Sequence, residues 1–309
     1  MNAPTIKIGT RGSALALYQA GATEDALRAA HPGIELVREV IRTTGDRRTD
    51  VALSQVAKVE GVLDKGVFTK ELETALSDGV IDIAVHSLKD VPTVLAPEFE
   101  IAGTLERAPV RDVLITRAEG GLDALPEGAT VGTSSVRRAK QLQWLRPDLK
   151  VVDLRGNVPT RLKKVARGDC DAIMLAEAGL VRLGHSMDEP AEVRGGKVYF
   201  SPLEVTEFFP AAGQGAIGFE IRKDDEEARA MVESILHAGT FLQARAEREF
   251  LRLLDGGCHT PVGVFSILDG DRLTMEARVF PDEGGEPRTA KAVGEEPLEV
   301  ARNLFESLV

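Results

Sequence analysis

The stretch AVHSLKDVP places His86, Ser87, Lys89 and Asp90 side by side, just ahead of a proline. A carboxylate set among cations can orient a proton or stabilise a positive charge as it forms. An Asp–Lys surface turn is the plain alternative, and a histidine in such a place is more often packed than reactive. Arginines gather at comparable positions. Arg11 follows the first strand-like run, Arg137 and Arg138 open a helix after GTSS, Arg155 and Arg161 flank GNVPT, and Arg182 follows AEAGLV. One arginine at a turn is ordinarily a solvated surface residue. Several at the carboxyl ends of strands, where helix N-termini present free N–H groups, would line a cleft for a ligand bearing several carboxylates.

A second feature is LDGGCHTPVG, which sets Cys258, one of only 2 cysteines, on a glycine turn. The thiol could be a nucleophile, a metal ligand, half of a disulfide, an anchor or incidental. Metal is disfavoured: the 5 histidines are scattered, H-E-x-x-H and C-x-x-C are absent, and Cys258 with adjacent His259 makes a poor pair for one tetrahedral ion. G-x-S-x-G is absent too. GVLDKGVF approaches a phosphate loop, but Val67 stands where lysine is required, so a carboxylate ligand is favoured over a nucleoside triphosphate.

These residues need elements to hold them. A chain of 309 residues, 43% hydrophobic and 28% charged, is expected to fold as two or three globular domains. A net charge of −11 argues against nucleic-acid binding. No apolar run is long enough to span a membrane, and MNAPTIKIGT does not read as a signal peptide. The expected address is the cytoplasm, where a Cys170–Cys258 disulfide is disfavoured. TIKIG, IELVREVIR and IDIAVHS read as strands; SALALYQAGATEDALRAA reads as a helix capped by Ser13, and TKELETALSDG as a helix closed by Gly79. This rhythm predicts a mostly parallel sheet.

The rhythm recurs. IKIGTRGSALALYQA is similar to ATVGTSSVRRAKQLQ, and LSDGVIDIAVHS to VARGDCDAIMLA, with Gly79 and Asp82 matching Gly168 and Asp171. Two α/β lobes of related construction are expected. Beyond GAIGFEIRKDDEE the texture changes to one long helical stretch, EEARAMVESILHAGTFLQARAEREFLRLLDGG, then three strand-like runs and a last helix. That segregation predicts a smaller α+β domain.

Seven segments, IGTRGSALALYQA, KGVFTKELE, DIAVHSLKDVP, VGTSSVRRAKQL, LRGNVPTRL, AGQGAIGFE and GGCHTPVG, together resemble the hydroxymethylbilane synthase (porphobilinogen deaminase) family, in its order and spacing and over essentially the whole chain. The resemblance implies two α/β lobes like those of periplasmic binding proteins, crossed twice by the chain, and a C-terminal α+β domain. The corresponding spans are 1–105 with 216–235, 106–215, and 236–309. It implies a transferase of haem and tetrapyrrole biosynthesis that joins four porphobilinogen molecules head to tail, releases ammonia, and frees hydroxymethylbilane by hydrolysis. The implied cofactor is a dipyrromethane held by a thioether to Cys258.

By the same resemblance Asp90 is catalytic. Ser13, Ser87, Lys89, Thr133, Ser135, Arg137, Arg138 and Gly156 hold the cofactor. Arg11, Gln19, Arg155, Asn157, Arg161 and Arg182 hold substrate; Lys65 and Phe68 belong to a lid, and Gln214 lies in the second crossing. The family is generally monomeric and uses no metal. KVEGVLDKGVF is longer and poorer in glycine than the family's lid run, and His259 has no assigned role. The rival reading is a two-lobed binding protein for a polycarboxylate solute, which would need neither HSLKDVP nor the cysteine turn.

Overall fold

A computed structural model describes residues 5–43, 69–255, 260–281, 283 and 285–308. The chain opens with β1 (Thr5–Arg11), α1 (Ala14–Ala30), β2 (Glu35–Ile41), α2 (Lys70–Ser77), β3 (Ile83–Ser87), a single 3-10 turn Leu88–Asp90, and β4 (Phe99–Thr104). It continues with β5 (Asp112–Thr116), β6 (Thr130–Gly132), α3 (Val136–Leu145), β7 (Lys150–Val152), α4 (Val158–Arg167), β8 (Ala172–Ala176), α5 (Glu177–Arg182), β9 (Ala191–Val193) and β10 (Gly196–Pro202). It ends with β11 (Ile217–Arg222), α6 (Glu226–Ser234), α7 (Ala238–Leu253), β12 (Val262–Asp269), β13 (Arg272–Val279), β14 (Arg288–Gly294) and α8 (Pro297–Glu306).

Three sheets result, ordered β2-β1-β3-β11-β4, β7-β6-β8-β5-β10-β9 and β12-β13-β14. The fold class is the expected one, two α/β lobes and a smaller α+β unit. The first two sheets are mixed, however, not mostly parallel. Strands joined through helices, β1 with β2 and β3, and β6 with β7 and β8, run parallel. β11 runs antiparallel to β3 and β4, and β5 antiparallel to β8 and β10. Both arrive from the crossings between lobes, with no crossover helix to bring them round, so they insert in the opposite sense.

The weak repeat of the sequence becomes a match between atoms. Asp82 accepts the Lys7 backbone N–H at 2.9 Å, and Asp171 accepts that of Thr130 at 2.8 Å. Arg222 donates to the carbonyls of Leu76 and Ile81; Arg117 donates to those of Val165 and Cys170. Gly79 and Gly168 both close their helices with positive φ, +67° and +86°, a conformation that costs glycine little.

The long helical stretch is two helices with separate allegiances. His237 breaks it and caps α7, its Nδ1 accepting the Thr240 N–H at 3.1 Å. Ala228 and Val232 of α6 join the core of the first sheet, whereas Ala246 and Phe250 of α7 join the core under β12–β14 and α8. Contacts with both lobes and the crossings tie the third unit down. Val264 N–H donates to Pro210 O at 2.9 Å. Arg278 lies over both Trp144 and Phe209, 4.7 and 4.3 Å from the ring centres. Glu247, fully buried, takes a bidentate grip from Arg107 in the first crossing, at 2.7 and 2.8 Å.

Candidate active site

Asp90 sits on the turn that ends β3, and the turn is held from three sides. Leu88 is buried beneath it with Val91, Ala216 and Ala244. The Leu88 N–H donates to Ala216 O at 3.1 Å. From the third unit, Arg248 donates to Val91 O and Pro92 O at 2.9 and 2.6 Å. Gly213 must be glycine for the same reason: its φ is +69°, and an added Cβ would lie 3.2 Å from the Leu88 side chain. The carboxylate is thus carried on a short, well-anchored element.

A pocket opens beside it. Arg11, Ser13, Gln19, Thr69, His86, Ser87 and Asp90 line it, with Leu15, Ala16 and Val85 as its apolar wall. Gln19 donates to the Ser87 hydroxyl at 2.8 Å. Ser13 caps α1, accepting the Ala16 N–H at 3.3 Å, as expected. Ser135 likewise caps α3, accepting from Arg138 N–H at 3.4 Å, and its own N–H donates to the Thr133 hydroxyl at 3.2 Å.

The second lobe faces this turn with cations. Arg137 and Arg138 are buried, and both pair with Asp112: Arg137 at 2.6 Å, Arg138 through Nε and Nη2 at 2.9 and 2.6 Å. Burial pushes the Asp112 carboxyl up, but the two guanidinium charges outweigh it and hold the group well below the usual carboxylate range. Gln214, wholly buried, bridges the lobes: it accepts from Lys89 Nζ at 3.2 Å and donates to Asp112 at 3.2 Å. Burial, then the charge of Arg138, pulls Lys89 down to about 8, against the opposing pull of Asp90 and Asp112.

Arg161 is pulled down to about 10 by burial and by Arg138 and Arg155, with Asp90 opposing. The contact between the Asp90 turn and the second-lobe arginines runs from Lys89 through Gln214 to Asp112. Arg161 also donates to Gly156 O at 2.7 Å, and Gly156 holds φ at +116°, turning the chain so that Asn157 caps α4 through Thr160 N–H at 3.0 Å. Arg182 stands apart from the Asp112 cluster. It donates to Gly215 O at 2.6 Å, tying the second lobe to the crossing, and burial lowers its pKa.

The family model for "Porphobilinogen deaminase, dipyromethane cofactor binding domain" matches residues 6–230, and that for the "Porphobilinogen deaminase, C-terminal domain" matches residues 241–309. The chain is 44% identical to the porphobilinogen deaminase of Syntrophobacter fumaroxidans and 46% identical to that of Desulforudis audaxviator, in each case over 94% of this chain and 88% of the relative. It belongs to the porphobilinogen deaminase family. Among solved structures, the probable amino-acid ABC transporter extracellular-binding protein YtmK of Bacillus subtilis is similar at a TM-score of 0.45, with 10% identity over 75% of this chain and 90% of that one.

The family cofactor is a dipyrromethane, and the donor set fits it. Lys89, Arg137, Arg138, Arg155 and Arg161 outnumber the nearby carboxylates Asp90, Asp112 and Asp153, and Lys89 is lowered first by burial and then by the charge of Arg138. A group rich in carboxylates relieves that excess. Cys258, Lys65 and Phe68 lie outside the described residues. Among the described residues no cluster of His, Cys, Asp and Glu could hold a metal ion, and no helix is long and apolar enough to cross a membrane.

Asp112 is the functional neighbour that the motifs miss. Its signal was an acid heading an otherwise buried apolar strand, DVLIT. Gln214 lies in the crossing, and its bridging contacts with Lys89 and Asp112 have no local sequence signal. The motifs leave out the groups that hold their arginines and lysine in place.

Proposed function

We propose that this member of the porphobilinogen deaminase family acts as a hydroxymethylbilane synthase, joining four porphobilinogen molecules head to tail with loss of ammonia and releasing the product with water. The observation that carries the reading is the cation-rich cleft of the second lobe, gathered around one anchored carboxylate, Asp90. Each substrate adds an acetate and a propionate, so a growing chain brings more carboxylates at every step. Lys89, Arg137 and Arg138, with Ser13, Ser87, Thr133, Ser135 and Gly156, hold the carboxylates of the cofactor. Arg11, Gln19, Arg155, Asn157, Arg161 and Arg182 hold the substrate side. The Asp90 carboxylate accepts hydrogen bonds from pyrrole N–H groups and stabilises positive charge as ammonia leaves. The dipyrromethane, when bound, supplies the nucleophilic pyrrole end on which elongation starts.

Cys258 is the attachment point, through a thioether, and Lys65 and Phe68 belong to a lid over the cleft. The boundaries 1–105 with 216–235, 106–215 and 236–309 describe three units, in a cytoplasmic monomer. Matches to both family domains disfavour a simple two-lobed solute-binding protein. Intact mass of the purified protein tests the reading. It should show an adduct of two pyrrole units, absent in Cys258→Ala; an unmodified mass in active wild type overturns it.

A further inference from the structure

The third unit meets the second lobe on one buried ring. Phe209, 2% exposed, lies between β10 and β11. Its ring is turned to the third sheet, on the side away from the core shared with α7 and α8. Phe265 stands edge-on to it with centroids 5.0 Å apart, and the Arg278 guanidinium lies 4.3 Å from its centre. Gly263 pairs with Arg278 across the ladder and has no room for a side chain. An added Cβ would overlap the Phe209 Cβ and lie 2.9 Å from its carbonyl oxygen.

The backbone of the same residue belongs to the arginine cluster. Phe209 N–H donates to Gln141 Oε1 at 2.7 Å, and Phe209 O accepts from Gln141 Nε2 at 2.9 Å and from Arg137 Nη1 at 2.6 Å. The same Arg137 nitrogen reaches Asp112 at 2.6 Å. Contact therefore runs unbroken from the third sheet, through Phe209, to Arg137, Asp112 and Arg138.

This seam fixes geometry at some cost in stability. Arg278 is 8% exposed, with Trp144 on its other contact, 4.7 Å to the ring centre. It donates to Glu207 O at 2.6 Å and Thr206 O at 3.4 Å, while its buried Nε has no hydrogen-bond partner among the described residues. An aliphatic side chain would avoid burying that N–H. A planar cation set on rings and forked onto two carbonyls sets distance and orientation as an aliphatic group does not. α3 is tied to the third unit as well: Trp144 donates to Glu286 at 2.9 Å and Lys140 to Pro281 O at 3.0 Å. β12, which bears Gly263 and Phe265, is also the strand that leaves the cysteine turn. Val262 follows Cys258 by four residues, at most about 14 Å of chain.

We propose that Phe209 and Arg278 are positioning residues for the cofactor, holding the strand that leaves the Cys258 turn at one spacing from Arg137 and Arg138. The proposal rests on the synthase reading, in which Cys258 anchors the cofactor and the two arginines hold its carboxylates. A group tethered at one point and gripped at another is held well only when the span between them is right.

The test uses the full chain as purified. Arg278→Gln removes the cation from the seam and leaves Cys258, both arginines and Asp112 in place. Trp144, the sole tryptophan, reports the seam: acrylamide should quench it more readily in Arg278→Gln than in wild type. Intact mass should show the two-pyrrole adduct on a smaller share of folded chains. Adduct-bearing chains should turn over about tenfold to a hundredfold more slowly at KM close to wild type, the loss expected from a misplacement of about 1 Å. Val300→Ala is the control for stability alone, because Val300 is buried on α8 across the third sheet from the seam. It should lower Tm yet keep the adduct, the quenching and the kcat of wild type. Arg278→Lys keeps the cation without the fork and should fall between; it carries the test if Arg278→Gln fails to fold. Unchanged Trp144 quenching, a full complement of adduct at wild-type kcat, or equal losses in Val300→Ala would each overturn the proposal. Absence of the adduct from wild type would instead sink the synthase reading.

Discussion

Replacing Asp112 by asparagine keeps the shape of the side chain and removes the one carboxylate shared by Arg137 and Arg138. Asp112 is fully buried and accepts from both guanidiniums and from Gln214. Without it, Phe209 O and Met174 O still accept from the two arginines, at 2.6 and 3.0 Å, but no counter-charge remains. Breaking a buried pair by removing one partner costs about 3–5 kcal/mol, because the stranded charge stays desolvated. At about 2–4 °C per kcal/mol, the expected fall in Tm is roughly 6–20 °C. The pH dependence fixes the cause. The folded-state pKa of Asp112 is depressed, so its contribution is fully present above the unfolded value and is lost as pH falls from about 4 towards the folded value. Chemical denaturation of wild type and Asp112→Asn should therefore differ by a constant amount from pH 5 to pH 8 and converge in stronger acid. A difference below about 1 kcal/mol at pH 7 would refute the reasoning, showing that carbonyls alone hold the two arginines.

Two further outcomes follow from the site. Asp90→Asn should fold, carry its cofactor and bind substrate with KM close to wild type, yet lose nearly all turnover; normal kcat would remove Asp90 from its role. Lys89, pulled down to about 8, should grip carboxylates fully below that pH and release them as pH rises through it. The rise in Tm on loading the apoprotein with its dipyrromethane should then shrink between about pH 7 and pH 9 in wild type and change less in Lys89→Gln, and equal slopes would show that Lys89 is not the group titrating.

Much of the site was legible because its chemistry is local. A strand end, a turn and a helix N-terminus follow one another in the chain, so HSLKDVP, GTSSVRR and LRGNVPTR each carry position and chemistry together. The helix caps Ser13, Ser135 and Asn157 do lie where strand gives way to helix. The break at His237 was hidden because α6 and α7 share a helical pattern while burying their apolar faces in different cores. The direction of β5 and β11 was hidden because it depends on how the chain crosses between lobes, which periodicity does not record.

By itself the sequence determined the fold class, the likeness of the two lobes and the set of cations and carboxylates proposed to meet a polyacidic ligand. These depend on neighbours in the chain and on residue type. Only the tertiary structure decided which charges face each other. Asp112 meets Arg137 and Arg138 across the second sheet, His86 meets Glu220 between strands of opposite direction, and Arg248 reaches from the third unit to the carbonyls of Val91 and Pro92. Such pairs are fixed by sheet order and packing, and a charge leaves no mark in the sequence of the distant residue that will neutralise it.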